Sequence, residues 1–159
     1  MIEYENTGFM WRAAFELAEK AFEGKFDKAG KPYFSHLYRV VDGCYNGGNM
    51  PKIDGDDFLN SAAILHDLLE DCPEWNESSL SFIFPKEVVD LVVILTKSKN
   101  EPYLDSYIKR ISENKLASRI KLSDLRDNMD ITRLSEITQK DIDRLVKYHT
   151  AYKILEKCI

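Results

Sequence analysis

Cysteine is scarce in this chain, and Cys44, Cys72 and Cys158 are too widely spaced to form a C-x-x-C pair. Three such residues make no even-numbered framework, which excludes a disulfide-stapled scaffold. They read as buried or incidental thiols of a reducing compartment. Long apolar runs are also missing. The longest, Val88 to Leu95, is interrupted by Asp90 and falls far short of the roughly 20 residues that span a bilayer. Met1 to Asn6 carries acids where a signal peptide would carry bases, so no secretion signal is expected. No excess of positive charge is present: 22 Lys and Arg against 27 Asp and Glu leave a net charge of −5. That balance disfavours sequence-independent nucleic-acid binding, which needs clustered cations to neutralise phosphates. A local basic pocket for a small anionic ligand stays open. The expected setting is cytoplasmic, with neither membrane nor nucleic acid as partner.

Pro/Gly/Ser linkers, low-complexity segments and internal repeats are absent as well, and a chain of 159 residues fits one domain over 1–159. An apolar fraction of 44% suffices for a continuous core, and 31% charged residues with two tryptophans argue against disorder. Apolar spacing is helical nearly throughout. Met10-Trp11, Ala14-Phe15, Leu17-Ala18 and Ala21-Phe22 form the stripe of a first helix, which Gly24 closes. Pro32 opens a second helix reaching about Tyr45, stopped by Gly47-Gly48, and residues 46–55 read as a loop. A third helix runs from Asp56 until Pro73 marks its exit. A loop bearing Trp75, Ser78 and Ser79, with room for one helical turn, precedes a fourth helix from Lys86 to about Thr96. Its four valines make a strand the competing reading. Further helices are expected over Tyr103–Glu113, Lys115–Met129 and Lys140–Cys158. No alternating strand pair with a hairpin turn is visible. The fold class is all-α.

The most informative segment is Ala62-Ala63-Ile64-Leu65-His66-Asp67-Leu68-Leu69-Glu70-Asp71. A His-Asp pair interrupts residues that otherwise belong to a core, and burying both without partners would cost roughly several kcal/mol. Continuous helical spacing would put Glu70 one turn beyond His66 and Asp67, and Asp71 one turn beyond Asp67. Three carboxylates and an imidazole so placed repel one another unless a cation or proton sits among them, and a divalent metal satisfies that demand. The bland alternative is a hydrogen-bonded core histidine with solvent-facing acids. Two distant residues weigh against it. His36 lies in Lys31-Pro32-Tyr33-Phe34-Ser35-His36, and Asp124 follows apolar residues in Arg119-Ile120-Lys121-Leu122-Ser123-Asp124. His36, His66, Asp67 and Asp124 form a nitrogen and oxygen set without thiolate, suited to Mn²⁺, Fe²⁺, Zn²⁺ or Ni²⁺ rather than a structural zinc site.

The ordered pattern His…His-Asp…Asp resembles the HD phosphohydrolase superfamily, whose fold is an HD-type helical bundle. Its surroundings resemble the hydrolase domains of RelA/SpoT homologues and small alarmone hydrolases. The strings that carry this are Gly30-x-Pro32-Tyr33-x-x-His36, Ala62 to Asp71, Ile120-Lys121-Leu122-x-Asp124 with Asn128-Met129, and Thr96-Lys97. They run in order over most of the chain. The resemblance implies metal-dependent hydrolysis of a guanosine 3′-diphosphate alarmone, (p)ppGpp, with release of pyrophosphate, commonly with Mn²⁺. It implies that Glu70 and Asp71 handle protons and orient the attacking water, and that Asn128 contacts substrate. Lys97 and Lys121, by motif position, and Lys28 and Arg126, as nearby bases, are candidates for holding phosphates; for each, the competing role is a solvated surface charge.

The chain also departs from that pattern. An Arg-Lys pair associated with the nucleobase reads Asp27-Lys28 here. The Arg-Leu-His-Asn-Met-Arg-Thr that follows the metal aspartate reads Leu125-Arg126-Asp127-Asn128-Met129-Asp130-Ile131, as in some short standalone HD proteins. Extra acids near a polyphosphate pocket weaken anion binding unless they face away. Two alternatives therefore accompany the alarmone reading: an HD 5′-nucleotidase acting on nucleoside monophosphates, and a nucleotide-binding sensor with little turnover. Tyr33 is expected to pack beside the site and His149 to be structural or exposed. Packing is likewise the default for the stripe of Trp11, Phe15 and Phe22, and for Tyr103 and Tyr107.

Overall fold

The structure is a computed structural model, and it describes residues 9–46 and 57–159. The expected loop over 47–55, with its Gly47-Gly48 stop, and the expected helix start at Asp56 lie outside the described residues. The architecture is all-α: helices α1 (Phe9–Ala21), α2 (Tyr33–Asn46), α3 (Asp57–Ile64), α4 (Leu68–Asp71), α5 (Glu77–Ser81), α6 (Lys86–Leu95), α7 (Lys109–Ser112), α8 (Lys115–Met129) and α9 (Gln139–Leu155) follow one another. Among the described residues the only β-type pairing is an isolated antiparallel bridge, Phe26 to Pro32.

α3 is the hub, packed against α1, α2, α6 and α8. Leu59, Ala62, Ala63 and Ile64 are all buried, as is Leu65 just beyond the helix, while Phe58 faces outward. The α1 stripe buries Met10, Ala14, Ala18 and Phe22, spaced by four, and the Trp11 amide donates to Asp57 at the start of α3. Gly24, in the left-handed region at φ +74°, turns the chain away from α1. The valine-rich segment is helix α6, not a strand, with Val88, Val89, Leu91, Val92 and Leu95 in the core. Its last carbonyls are capped by Arg110, which donates to Val93, Ile94 and Thr96.

α2 and α8 approach each other closely. A β-carbon at Gly43 would overlap Ser123 Oγ, and that hydroxyl donates to Val40 O at 2.7 Å. This contact brings His36 on α2 beside Asp124 on α8.

Two expected helices differ in detail. The third is not continuous: it breaks at Leu65-His66-Asp67 before α4 resumes. The His66 amide and its ring Nδ1 both turn to Ala63 O, at 3.5 and 2.8 Å, the carbonyl that Asp67 N would take in an unbroken helix. Asp67 sits at φ −99°, ψ 0°, in the bridge region between helix and strand. The expected Tyr103–Glu113 helix begins as a π-helical turn, Tyr103–Ile108, before α7. Such wide turns re-aim side chains and recur at functional sites.

Candidate metal centre and cleft

Four side chains from three places in the fold converge at the α3 break. His36 comes from the first turn of α2, His66 and Asp67 from the break itself, and Asp124 from the middle of α8. Donor atoms of His36, His66 and Asp67 all lie within 4.8 Å of one another. His36 Nε2 is 3.6 Å from Asp67 Oδ2 and 3.3 Å from Asp124 Oδ1; His66 Nε2 is 3.0 Å and 3.6 Å from the same two oxygens. Donors about 2.1 Å from an octahedral ion stand about 3 Å apart when adjacent, so these imidazole-to-carboxylate separations are close to those of neighbouring donors on one divalent cation. His36, His66 and Asp67 form the tight group.

The orientation of the rings supports that fit. His66 Nδ1 donates to Ala63 O, which turns Nε2 toward the two carboxylates. That Nε2 is fully buried and has no hydrogen-bond partner among the described residues, because Asp67 Oδ2, though near, lies off the line of an N–H bond. His36 Nδ1 is likewise taken by Asp127 Oδ2 at 2.6 Å, leaving Nε2 for the cluster. Burial opposes charging either imidazole, yet the carboxylates win. Asp67 and Asp124 push His66 up to about 9, and Asp124, Asp127 and Asp67 hold His36 well above its usual value. Burial also opposes ionisation of Asp67 and Asp124, but the imidazoles, and Lys121 beside Asp124, keep both below the usual carboxylate range. The cluster demands positive charge at its centre, which a divalent cation would supply.

A second layer holds these donors in place. Tyr33 does more than pack: its hydroxyl donates to Asp67 Oδ2 at 2.7 Å. Lys121 Nζ donates to Asp124 Oδ2 at 2.6 Å, and Asn128 Nδ2 to Asp124 Oδ1 at 2.6 Å. Asp127 grips His36 and is itself held by Arg39 Nε at 2.5 Å and Arg133 at 3.2 Å. Asp27 receives Arg133 at 2.9 Å and the amides of Ala29 and Lys31. Two of the acids that depart from the family pattern, Asp127 and Asp27, are thus neutralised by two arginines rather than presented as free anions; the third, Asp130, is exposed, 3.7 Å from Arg133 Nε. Arg39 escapes sequence reasoning because Asp127 is 88 residues distant, and the Arg133 bond to Asp27 because it spans 106.

Above the donors opens a cleft of about 560 Å³, lined in part by His36, Asp67 and Asp124. Of the expected catalytic pair, Glu70 is exposed on its wall and accepts the Lys97 amide at 3.1 Å. Asp71 also lines it, its carboxyl raised by partial desolvation and by the charges of Asp67 and Glu70. Lys28, Lys97, Lys121 and Asn128 all line the cleft, as do Tyr103 and Tyr107. Arg126 does not. It faces away, lies over the Tyr152 ring and donates to Gly43 O and Tyr152, tying α8 to α2 and α9. It is engaged in packing contacts there, not aimed at a phosphate. His149 is exposed on α9. Arg133, Arg144, Lys147 and Tyr148 join the lining from segments with no local motif.

A sequence model described as HD domain matches residues 14–127. The chain belongs to the HD domain family. It is 30% identical over 109 residues to a probable guanosine-3′,5′-bis(diphosphate) 3′-pyrophosphohydrolase of Mycoplasma genitalium, a stretch covering 64% of this chain and 14% of that protein. This HD chain therefore spans about a seventh of the length of that relative. Its fold is shared with a solved structure described as a metazoan orthologue of SpoT that hydrolyses ppGpp and plays a role in starvation responses. The TM-score is 0.77 at 20% identity, covering 95% of this chain and 88% of the other. Among the described residues, no helix is long and apolar enough to cross a membrane.

Proposed function

We propose that this HD protein is a metal-dependent nucleotide phosphohydrolase that removes pyrophosphate from a guanosine 3′-diphosphate alarmone in the cytoplasm. The observation that carries the reading is the pair of buried imidazole Nε2 atoms facing two carboxylates at the floor of a cation-bearing cleft. His36, His66, Asp67 and Asp124 would hold the cation, with Mn²⁺ the first choice for this nitrogen and oxygen set. A divalent cation there supplies a nucleophile near neutral pH and offsets charge on the phosphoryl group. The substrate named for the relatives, guanosine-3′,5′-bis(diphosphate), suits a cleft walled by Lys28, Lys97, Lys121, Arg133 and Lys147.

The protein's own groups divide the remaining work. Glu70 stands on the wall with one oxygen fixed by the Lys97 amide, so its other oxygen is free to accept a proton from water. Asp71, with its raised affinity for protons, is suited to hand one to the leaving group. Lys28 and Lys97 orient phosphate oxygens from the rim. Lys121 and Asn128 reach substrate from the wall while holding Asp124. Tyr103 carries a shielded hydroxyl that finds no partner among the described residues and is available to a substrate oxygen.

The test is a release assay on Mn²⁺-loaded protein across a nucleotide panel. Pyrophosphate from a guanosine 3′-diphosphate is expected; orthophosphate from a 5′-monophosphate would replace this reading with a nucleotidase, and binding without turnover would replace it with a sensor. Glu70→Ala should keep its metal and lose about 10²-fold or more in kcat, whereas Asp67→Ala should lose the metal. Equal metal content in wild type and Asp67→Ala would refute the donor assignment.

A further inference from the structure

We infer that Asp127 is a positioning residue that sets the direction and basicity of the His36 imidazole toward the metal, held for that role by Arg39 and Arg133. The inference rests on the divalent-cation reading of the four donors. His66 is oriented by a backbone carbonyl, Ala63 O, which no side-chain substitution removes. His36 has no such support. Its Nδ1 is held by Asp127 Oδ2 at 2.6 Å, and both side chains are at least 90% shielded from solvent.

The carboxylate is itself immobilised from two directions. Arg39 straddles it, Nε to Oδ1 at 2.5 Å and Nη2 to Oδ2 at 3.1 Å, a two-pronged contact that fixes the carboxylate plane. Arg133 adds Nη2 to Oδ2 at 3.2 Å and to the Asp127 carbonyl at 2.8 Å. The arrangement is reciprocal between two helices. α2 supplies the imidazole and, three residues on, the guanidinium; α8 supplies the Asp124 donor and, three residues on, the orienting carboxylate. Spacing of three places each pair on one helix face. Arg133 then reaches Asp27 Oδ2 at 2.9 Å, so the loop over residues 26–32 at the cleft mouth is fastened to the same carboxylate. A carboxylate on the far nitrogen of a metal-binding histidine fixes its tautomer and raises its donor strength, and its loss weakens metal binding about 10–100-fold.

The experiment is Mn²⁺ titration of chelator-stripped wild type, Asp127→Asn and Asp127→Ala, with thermal melts of each metal-free protein. Asp127→Ala should bind Mn²⁺ about 10–100-fold more weakly. Asp127→Asn should fall between, because its amide oxygen still accepts the Nδ1 proton but carries no charge. A companion measurement needs no variant: long-range ¹H–¹⁵N spectra of the Zn²⁺-loaded wild type should show His36 with a downfield Nδ1 proton slow to exchange. A folded Asp127→Ala with wild-type Mn²⁺ affinity would overturn the inference alone, as would a His36 ring without that proton. A wild type that binds no Mn²⁺ would overturn the cation reading itself and this inference with it.

Discussion

Tyr33 shows what single side chains contribute here. Its hydroxyl is the donor that fixes Asp67 Oδ2, which lies 3.6 Å from His36 Nε2 and 3.0 Å from His66 Nε2. Burial, together with the charges of Asp67, Asp71 and Asp124, pushes the phenol far above its usual range, so it remains a donor at every working pH. Tyr33→Phe keeps the ring stacked on Phe22, at 5.1 Å and 11°, and removes only that proton. The expected result is Mn²⁺ affinity lowered about tenfold with little change in melting temperature; unchanged affinity in a calorimetric titration would contradict the role. In sequence, Tyr33 reads as packing because an aromatic three residues before a histidine carries no sign of where its hydroxyl ends. His66-Asp67 are legible for the opposite reason: two polar groups inside an apolar run need partners to be buried. His36 and Asp124 follow from the ordered motif, and the structure brings both to the pair. Asp127 and Asp27 read as misplaced acids until Arg39 and Arg133 are seen across from them.

Helices set where these side chains meet. The α3 break is the decisive local event, because a continuous helix through Asp67 would send its carboxylate along a different face. Periodicity does not reveal it: Leu65 and Leu68 stay buried on either side, so the apolar pattern reads straight through. The π-helical turn at Tyr103–Ile108 is hidden in the same way, since one wide turn barely disturbs the spacing of tyrosines. Gly43 is the element-scale control on the α2–α8 distance. An alanine there gains roughly 0.5–1 kcal/mol of helix propensity, but it displaces Ser123 Oγ from Val40 O and leaves a buried hydroxyl without its partner, at a cost of roughly 1–3 kcal/mol. Gly43→Ala should therefore be net destabilising by about 1 kcal/mol, the lost hydrogen bond outweighing the gained propensity. A more stable variant in urea unfolding would show that the close approach is not structural.

At the scale of the molecule, two ion pairs fasten loops to the bundle, and both predict acid sensitivity. Burial opposes ionisation of Asp27, but the Lys31 and Ala29 amides and Arg133 hold its carboxyl below the usual value. Burial likewise opposes Glu101, which Arg110, the Ser98 amide and the Ser106 hydroxyl hold low. A carboxyl that binds protons less readily when folded adds stability above its unfolded value, about 4, and loses it as pH falls below. The melting temperature of metal-free protein should thus decline as pH falls from about 5 toward 3, more shallowly in Asp27→Asn and Glu101→Gln. Declines as steep in both variants as in wild type would remove these pairs from the account.

Helix content, the apolar stripes and the order of the HD motif follow from the amino-acid sequence alone, because periodicity and local residue chemistry are encoded within a few neighbouring positions. Which charges neutralise which, where the third helix breaks, and that Arg126 faces away while Arg133, Arg144 and Lys147 reach the cleft are decided by tertiary packing. Those outcomes depend on distances between residues up to about a hundred positions apart. Electrostatic energy depends on separation in space, which the chain acquires only on folding.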